Sequence, residues 1–291
     1  RTGNNSLNSV LSDEAFGITG GTLTVNNLTV NDTLTLSNGT LALNGTTAST
    51  VDNFTQTGGT LTGTGEVIVN NNFNWSSGYQ SGSGKTTLKG TTNISTTNAK
   101  WVDTRTIENQ SNVTWTSGDI YASNGAVWNN TATGVFDIQG NNGFYQNVGS
   151  QPKLNNAGTL KKTAGTGTTT ISTQLNNTGT VQVQTGTVNL SGGGSSSGTF
   201  QADIGATLAF GGGNHTLTAG LLTGNGIIAI SGANVTVSSA IVRDLNNLTL
   251  SSGTLGLNGT TASETDNLTQ TGGTLTGTGE LVVAATNGIF N

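Results

Sequence analysis

The sequence contains no cysteine and no methionine, and it has a single proline and a single histidine. Without cysteine the chain cannot form a disulfide framework, a cysteine-ligated zinc site or a thiol nucleophile. Collagen is excluded because it needs abundant proline and glycine at every third position. Charged residues make up only 8% of the chain, against about 25% in average soluble domains. The net charge is −5 with nine Lys+Arg residues, which argues against a nucleic-acid partner, since nucleic acid is bound through clustered basic side chains.

Long apolar runs are also missing. Hydrophobic residues make up 32% of the chain, and the longest apolar stretches, 227–230 and 281–285, are far shorter than the roughly 18–20 residues of a membrane span. Thr, Gly, Asn and Ser together form more than half of the 291 residues. These four residue types are poor helix formers, whereas the β-branched threonine favours strands. We therefore expect an all-β protein that does not insert into a membrane within this segment.

Two repeats of different length organise the chain. Residues 34–69 recur at 248–283, 214 positions later, with 29 of 36 positions identical. This indicates the tandem duplication of a long unit, and we expect the protein to continue beyond Asn291. A shorter period of about 20 residues is marked by Gly-Thr-apolar tripeptides, three of which begin at Gly21, Gly39 and Gly59. A repeat of this length is typical of solenoids.

The local pattern within each short repeat favours β-strands. Runs such as 23–25, 181–183 and 188–190 alternate apolar and polar residues, as half-buried strands do. Asn-Gly, Gly-Gly and Ser-Gly pairs, which favour turns, separate the runs. We predict an all-β, right-handed parallel β-helix (β-solenoid) with coils of about 20 residues, right-handed because parallel crossovers favour that sense. Residues 1–19 are expected to form an N-terminal coil, cap or junction, and residues 20–291 the solenoid.

The stretch NNAGTLKKTAGTGTTTISTQLNNTGTVQVQTGTVNL (155–190) and its continuation to residue 220 resemble the repeat regions of large bacterial surface proteins. These are the filamentous-haemagglutinin-like and autotransporter-type adhesins, whose stalks are β-helices. The resemblance covers about residues 20–291 and lies in the style of the repeats rather than in a catalytic motif. It implies a bacterial protein that is extracellular or at the cell surface and has a structural or adhesive role.

A catalytic site is an alternative, because polysaccharide lyases and pectin hydrolases are also β-helices. Such sites need clustered carboxylates, and the fourteen acids are spread thinly along the chain. We interpret the best local group, Asp103, Arg105 and Glu108, as isolated surface charges. We interpret His215, in a glycine-rich run, as a residue of a turn or an outer face. We expect no enzyme activity, no catalytic residue, no cofactor and no metal ion.

The aromatic residues are concentrated between residues 73 and 145, where the repeat spacing is most irregular. Two interpretations are open, since Trp and Tyr combine an apolar body with a polar group. The rings either fill the core or form an exposed platform that stacks on sugars or contacts a partner. The candidate contact residues are Trp75, Tyr79, Trp101, Trp115, Tyr121 and Trp128.

The sequence therefore predicts an extracellular structural or adhesive repeat protein, a stalk or filament of the cell surface or matrix. The expected partners are neighbouring repeats or subunits joined end to end, because open solenoid ends expose strand edges, and surface glycans. One alternative is a carbohydrate-binding or polysaccharide-degrading β-helix. Another is a filament subunit that assembles through the solenoid ends.

Overall fold

The computed structural model describes residues 3–238, 241–284 and 289–290. Across these ranges the chain forms strands and turns without a helix, so no helix there could cross a membrane. The chain divides into two compact units. The first unit comprises Arg1–Phe136 and Phe144–Lys153, and the second comprises Asp137–Gly143 and Leu154–Asn291.

The strands of the described residues follow one another with short turns between them. They are β1 (Asn4–Ser12), β2 (Phe16–Leu43), β3 (Ser49–Gln56), β4 (Thr60–Thr62), β5 (Val67–Trp75), β6 (Gly78–Gln80), β7 (Lys85–Leu88), β8 (Thr91–Ile94), β9 (Lys100–Asp103), β10 (Thr106–Asn109), β11 (Asn112–Trp115), β12 (Ile120–Ser123), β13 (Val127–Asn130), β14 (Val135–Ile138), β15 (Phe144–Gln146) and β16 (Lys153–Asn156). They continue as β17 (Thr159–Lys162), β18 (Thr168–Ile171), β19 (Gln174–Asn177), β20 (Thr180–Val183), β21 (Thr187–Leu190), β22 (Gly194–Ser196), β23 (Thr199–Ala202), β24 (Thr207–Phe210), β25 (Asn214–Leu217), β26 (Leu221–Val237), β27 (Ile241–Leu257), β28 (Ser263–Gln270), β29 (Thr274–Thr276), β30 (Leu281–Val283) and β31 (Ile289–Phe290).

Strands pair in parallel with strands about 20 residues later in the sequence. In the first unit β1 pairs with residues 22–30 of β2, and β7 pairs with β10. In the second unit β17, β20 and β23 pair successively. Each unit is therefore a parallel β-solenoid with coils of about 20 residues, which confirms the predicted fold class, while the right-handed sense stays a prediction. Because β1 already pairs with the next coil, solenoid pairing begins within the segment 1–19.

The core of each coil is filled by the inward half of the alternating pattern. In the second unit Val188, Leu208, Ile228 and Leu248 face one another on successive coils, and all four are buried. Their sequence neighbours point outward, because side chains alternate along a strand. An apolar residue at every second position of a strand is therefore enough to fill a narrow core. This explains how a chain with 32% hydrophobic residues can fold.

Buried asparagines form short rows at the ends of some strands. In the first unit Asn109 Nδ2 donates a hydrogen bond of 2.7 Å to Asn130 Oδ1, and in the second unit Asn156 donates in the same way to Asn177. Asn109 and Asn156 also donate to backbone carbonyl oxygens, those of Val135 at 3.2 Å and of Thr180 at 2.9 Å. A buried amide needs such partners. The rows thus satisfy the polar groups that a coil turns inward at its corners.

The corners themselves require glycine. Gly39 has a φ of +78°, in the left-handed region, and a Cβ placed on it would lie 2.4 Å from the carbonyl oxygen of Gly21 on the neighbouring coil. The coil spacing therefore leaves no room for a side chain. This is why the Gly-Thr-apolar tripeptide recurs at each of these corners.

Candidate functional site: an outward aromatic ladder

Three of the six candidate aromatic residues lie in the core. Trp75 and Trp115 are fully buried, and Trp128 is 1% exposed. Trp75 stacks on Phe73, and the rings of Trp115 and Trp128 meet Phe136 edge to face. The proposed role in an exposed platform is therefore wrong for these three residues, because no external ligand can reach them. They fill the interior of the first unit.

The other three candidates, Tyr79, Trp101 and Tyr121, point outward from one face of the first unit. They occupy equivalent positions of β6, β9 and β12, and Tyr145 of β15 continues the row. Their sequence neighbours are buried instead, as Lys100 and Val102 are on either side of Trp101. We call Tyr79, Trp101, Tyr121 and Tyr145 the aromatic ladder. Parallel pairing with near-constant coil length brings these residues together although they are about 20 residues apart in the sequence.

The rings of Tyr79, Trp101 and Tyr121 stack on one another, and the ring of Tyr145 is tilted against that of Tyr121. The ring centroids of Tyr79 and Trp101 are 5.5 Å apart with 13° between the planes, and those of Trp101 and Tyr121 are 4.6 Å apart with 21°. Tyr121 and Tyr145 are 5.7 Å apart with 35° between the planes. Because Trp101 is stacked on both sides, both of its ring faces are covered and it presents mainly its edges to solvent. Tyr79 is 46% exposed.

Acidic side chains lie beside the middle of the aromatic ladder. The phenol oxygen of Tyr121 is 3.5 Å from Asp119 Oδ2. Desolvation of the phenol, the Asp119 carboxylate and neighbouring Tyr145 raise the pKa of Tyr121. The phenol therefore stays protonated at neutral pH and can donate a hydrogen bond. Asp103, at the end of β9, accepts a hydrogen bond of 2.8 Å from Asn124.

A buried lysine supports the aromatic ladder from inside. Lys100 is fully buried, and its Nζ donates to the backbone carbonyl oxygens of Ser95, Thr96, Asn98 and Ser117 at 2.5–3.0 Å. Burial lowers the pKa of Lys100 to about 8, and Asp119 opposes this shift. The ammonium group ties the loop before β9 to the loop of the next coil, and thereby fixes the strand that carries Trp101.

The interpretation of Arg105 as a surface charge is wrong. Its guanidinium is fully buried and donates to Thr86 Oγ1 at 2.8 Å and to the backbone oxygens of Ser81, Lys85 and Gly65 at 2.9–3.3 Å. Burial lowers the pKa of Arg105 to about 10, with Glu66 opposing, so the group stays charged at neutral pH. Arg105 is therefore a structural cation that binds inward-facing carbonyl groups, as Lys100 does.

A buried polar chain extends from Arg105 across two further coils. Thr86 donates to Gln80 Oε1 at 2.8 Å, and Gln80 donates to Gln56 Oε1 at 2.6 Å. All of these side chains are fully buried. Such a network stabilises a fold only when its members are paired. Here it lines one corner of the first unit and joins Arg105, Thr86, Gln80 and Gln56 by hydrogen bonds.

His215 also differs from its prediction. It is 3% exposed, its ring packs edge to face against Phe210 with centroids 4.9 Å apart, and Nε2 is 3.0 Å from the carbonyl oxygen of Gly212. Desolvation lowers the pKa of His215, against weaker raising effects of its backbone hydrogen bonds. The residue is therefore a neutral core side chain rather than part of a turn or an outer face.

Sequence reasoning left Tyr145 out of the candidate residues. The sequence signal was the position of Tyr145, about one coil beyond Tyr121 and directly after the apolar Phe144. Among the described residues, no group of three or more His, Asp or Glu side chains is arranged to hold a metal ion.

Comparison of the chain with protein-family models, with curated proteins and with solved structures found no match, so the resemblance to adhesins stays an interpretation of the sequence.

Proposed function

We propose that this chain is a structural and adhesive module of an extracellular repeat protein, a stalk or filament of the cell surface or matrix, and that it contacts its partner through the aromatic ladder. The observation that carries the proposal is the outward row of four aromatic rings. The first unit has a separate aromatic core in Phe54, Phe73 and Trp75, so the outward rings are not needed to fill it. Outward Trp and Tyr side chains suit a contact site, because each combines an apolar ring with a polar group.

The structural part of the proposal is supported by the way the coils are joined. Neighbouring coils share backbone hydrogen bonds along each strand, and buried side chains such as Asn109 and Lys100 add bonds at the corners. Separating two coils must break these bonds together. A coil that is bonded to its neighbours on both sides suits a protein that has to withstand a pulling force.

Adhesion is tested by removing the aromatic ladder as a whole. A variant with Tyr79→Thr, Trp101→Thr, Tyr121→Thr and Tyr145→Thr should lose most of the pull-off force that a protein-coated probe shows on cultured animal cells and on polysaccharide gels. The matched control replaces Thr159, Thr180 and Thr199, an outward row of the second unit, with Ser. Equal pull-off forces for the ladder variant and the wild type, with both folded by circular dichroism, would contradict the proposal.

A further inference from the structure

Tyr79 is the end of the aromatic ladder where a ring face is open. One face of Tyr79 is covered by Trp101, at 5.5 Å between ring centroids. On the other side its strand partner is Thr60, whose own partner on the next coil is Thr40. Threonine is much shorter than tyrosine and cannot cover a phenol ring. The exposed 46% of Tyr79 therefore includes a ring face, whereas Trp101 presents mainly its edges.

The surface in front of this ring face is polar and uncharged. Thr40, Thr60 and Thr62 lie outward and half-buried on the two preceding coils. Neither β4 nor β6 contains an ionisable residue other than Tyr79 itself. Acidic residues lie instead farther along the ladder, at Asp103 and Asp119. The open face thus looks onto a row of hydroxyl groups that can donate and accept hydrogen bonds.

These features match the two sides of a neutral sugar ring. A pyranose has an apolar face of C–H bonds and a rim of hydroxyl groups, and an aromatic face attracts positively polarised hydrogens. At a contact distance of about 3.5–4.0 Å, a sugar ring on Tyr79 would lie at the level of the next coil, about 4.8 Å away. Its rim would then meet the hydroxyl groups of Thr60 and its neighbours.

We propose that the open face of Tyr79 and the threonines in front of it form a stacking subsite for a neutral pyranose unit of a polysaccharide. The inference rests on the proposed adhesive function and names its ligand class. Only Tyr79 stacks on the sugar, and Trp101 packs against the other face of the Tyr79 ring. Anionic polysaccharides are disfavoured because the side chains beside the ladder include the carboxylates of Asp103 and Asp119 and the protein has a net charge of −5.

The test is electrophoresis of the protein in native gels that contain either neutral β-glucan or polygalacturonate. The wild type should be retarded by β-glucan and not by polygalacturonate. Tyr79→Leu, which still covers Trp101 but has no aromatic face, should weaken retardation at least about tenfold. Tyr79→Phe, which keeps the ring, should behave within about threefold of the wild type. Circular dichroism spectra that match the wild type confirm that both variants are folded.

Three outcomes would overturn the inference: no retardation by β-glucan, equal retardation of Tyr79→Leu and the wild type, or preferential retardation by polygalacturonate. None of them removes the broader adhesive function, which depends on the pull-off force of the four-residue ladder variant. If that variant loses adhesion while β-glucan has no effect, the ladder is adhesive but its ligand is not a neutral sugar. If both tests fail, the ladder is not an adhesive surface.

Discussion

At the scale of single residues, the most informative side chains are the buried cations. Lys100 and Arg105 in the first unit and Lys162 in the second are all fully buried, and each donates to backbone carbonyl oxygens at a corner. None of them forms an ion pair with a carboxylate among the ion pairs of the described residues. The corners turn carbonyl groups inward, where strand pairing cannot satisfy them. A long basic side chain supplies the missing donors.

Replacing Lys100 with Met should therefore destabilise the protein by about 2–4 kcal/mol, because the substitution leaves several buried carbonyl groups without a donor. The measurement is urea-induced unfolding followed by tryptophan fluorescence. Lys89→Met is the matched control, since Lys89 is exposed, and it should change the free energy of unfolding by less than about 0.5 kcal/mol. Equal effects of the two substitutions would show that the bonds of Lys100 contribute nothing.

The lowered pKa of His215 should make the stability of the protein depend on pH. Its pKa is lowered in the folded state from the ordinary 6.5, so between these two values the unfolded chain binds a proton that the folded chain does not. The free energy of unfolding should therefore fall as the pH falls below 6.5. As the chain has one histidine, NMR gives the folded pKa directly. His215→Phe should lose this part of the pH dependence, and a folded pKa at or above 6.5 would contradict the prediction.

Alanine substitutions at two glycines distinguish the cost of a left-handed backbone conformation from the cost of a steric clash with the neighbouring coil. Gly39 and Gly205 share a φ of +78°, but only at Gly39 would a Cβ meet a neighbouring backbone, at 2.4 Å from Gly21 O. Gly205→Ala should cost about 1 kcal/mol for the left-handed conformation. Gly39→Ala should cost about 1–3 kcal/mol more, because the coils must move apart to make room for the added methyl group. Urea unfolding measures both, and similar costs would mean that coil contact at Gly39 is unimportant.

At the scale of strands, the alternating pattern divides the aromatic residues into buried and outward ones, and their replacement should affect stability differently. Trp115→Ala should destabilise the protein by about 3–5 kcal/mol, because it empties part of the core and removes the 2.7 Å hydrogen bond to Gly118 O. Tyr121→Thr should cost only about 1 kcal/mol, from lost stacking with Trp101 and Tyr145. Thermal unfolding distinguishes them. Equal losses would mean that the aromatic ladder is part of the folding core.

The fold class could be predicted from the sequence. Which aromatic residues are buried and which point outward could not. Alternation and a 20-residue repeat suffice for a parallel solenoid, because both follow from strand geometry. The pattern around Trp101 misleads, since a lysine next to a tryptophan is normally expected to point outward and the tryptophan inward. Here Lys100 is buried because four carbonyl groups bind it. Only tertiary structure reveals those acceptors.

The two copies of the duplicated segment give a second case in which residue type alone does not predict burial. Val51 is a fully buried apolar residue of the first copy, and its equivalent in the second copy is Thr265, also buried. The Thr265 hydroxyl donates to Leu245 O at 3.0 Å. A polar residue can therefore replace an apolar one at the same inward position when a carbonyl group is within hydrogen-bond distance. The sequence does not predict which inward positions have such a carbonyl group nearby.

At the scale of the whole molecule, stability should vary from coil to coil, because each coil contacts mainly its neighbours. β20 is paired on both sides, with β17 and β23, whereas β1 pairs with β2 alone among the described residues. Amides of Asn4–Ser12 should exchange with deuterium much faster than those of Thr180–Val183 in monomeric protein. Strong protection of β1 would instead indicate that another coil or another molecule covers it.

The near-constant spacing of paired residues has an evolutionary consequence. Where every inward position meets an equivalent position one turn away, a stretch of DNA encoding whole turns can be copied or deleted by unequal recombination and the remaining turns still fit. The 29 identical positions between residues 34–69 and 248–283 are a trace of one such event. The number of turns can thus change in one recombination event while the residues of the remaining turns stay the same.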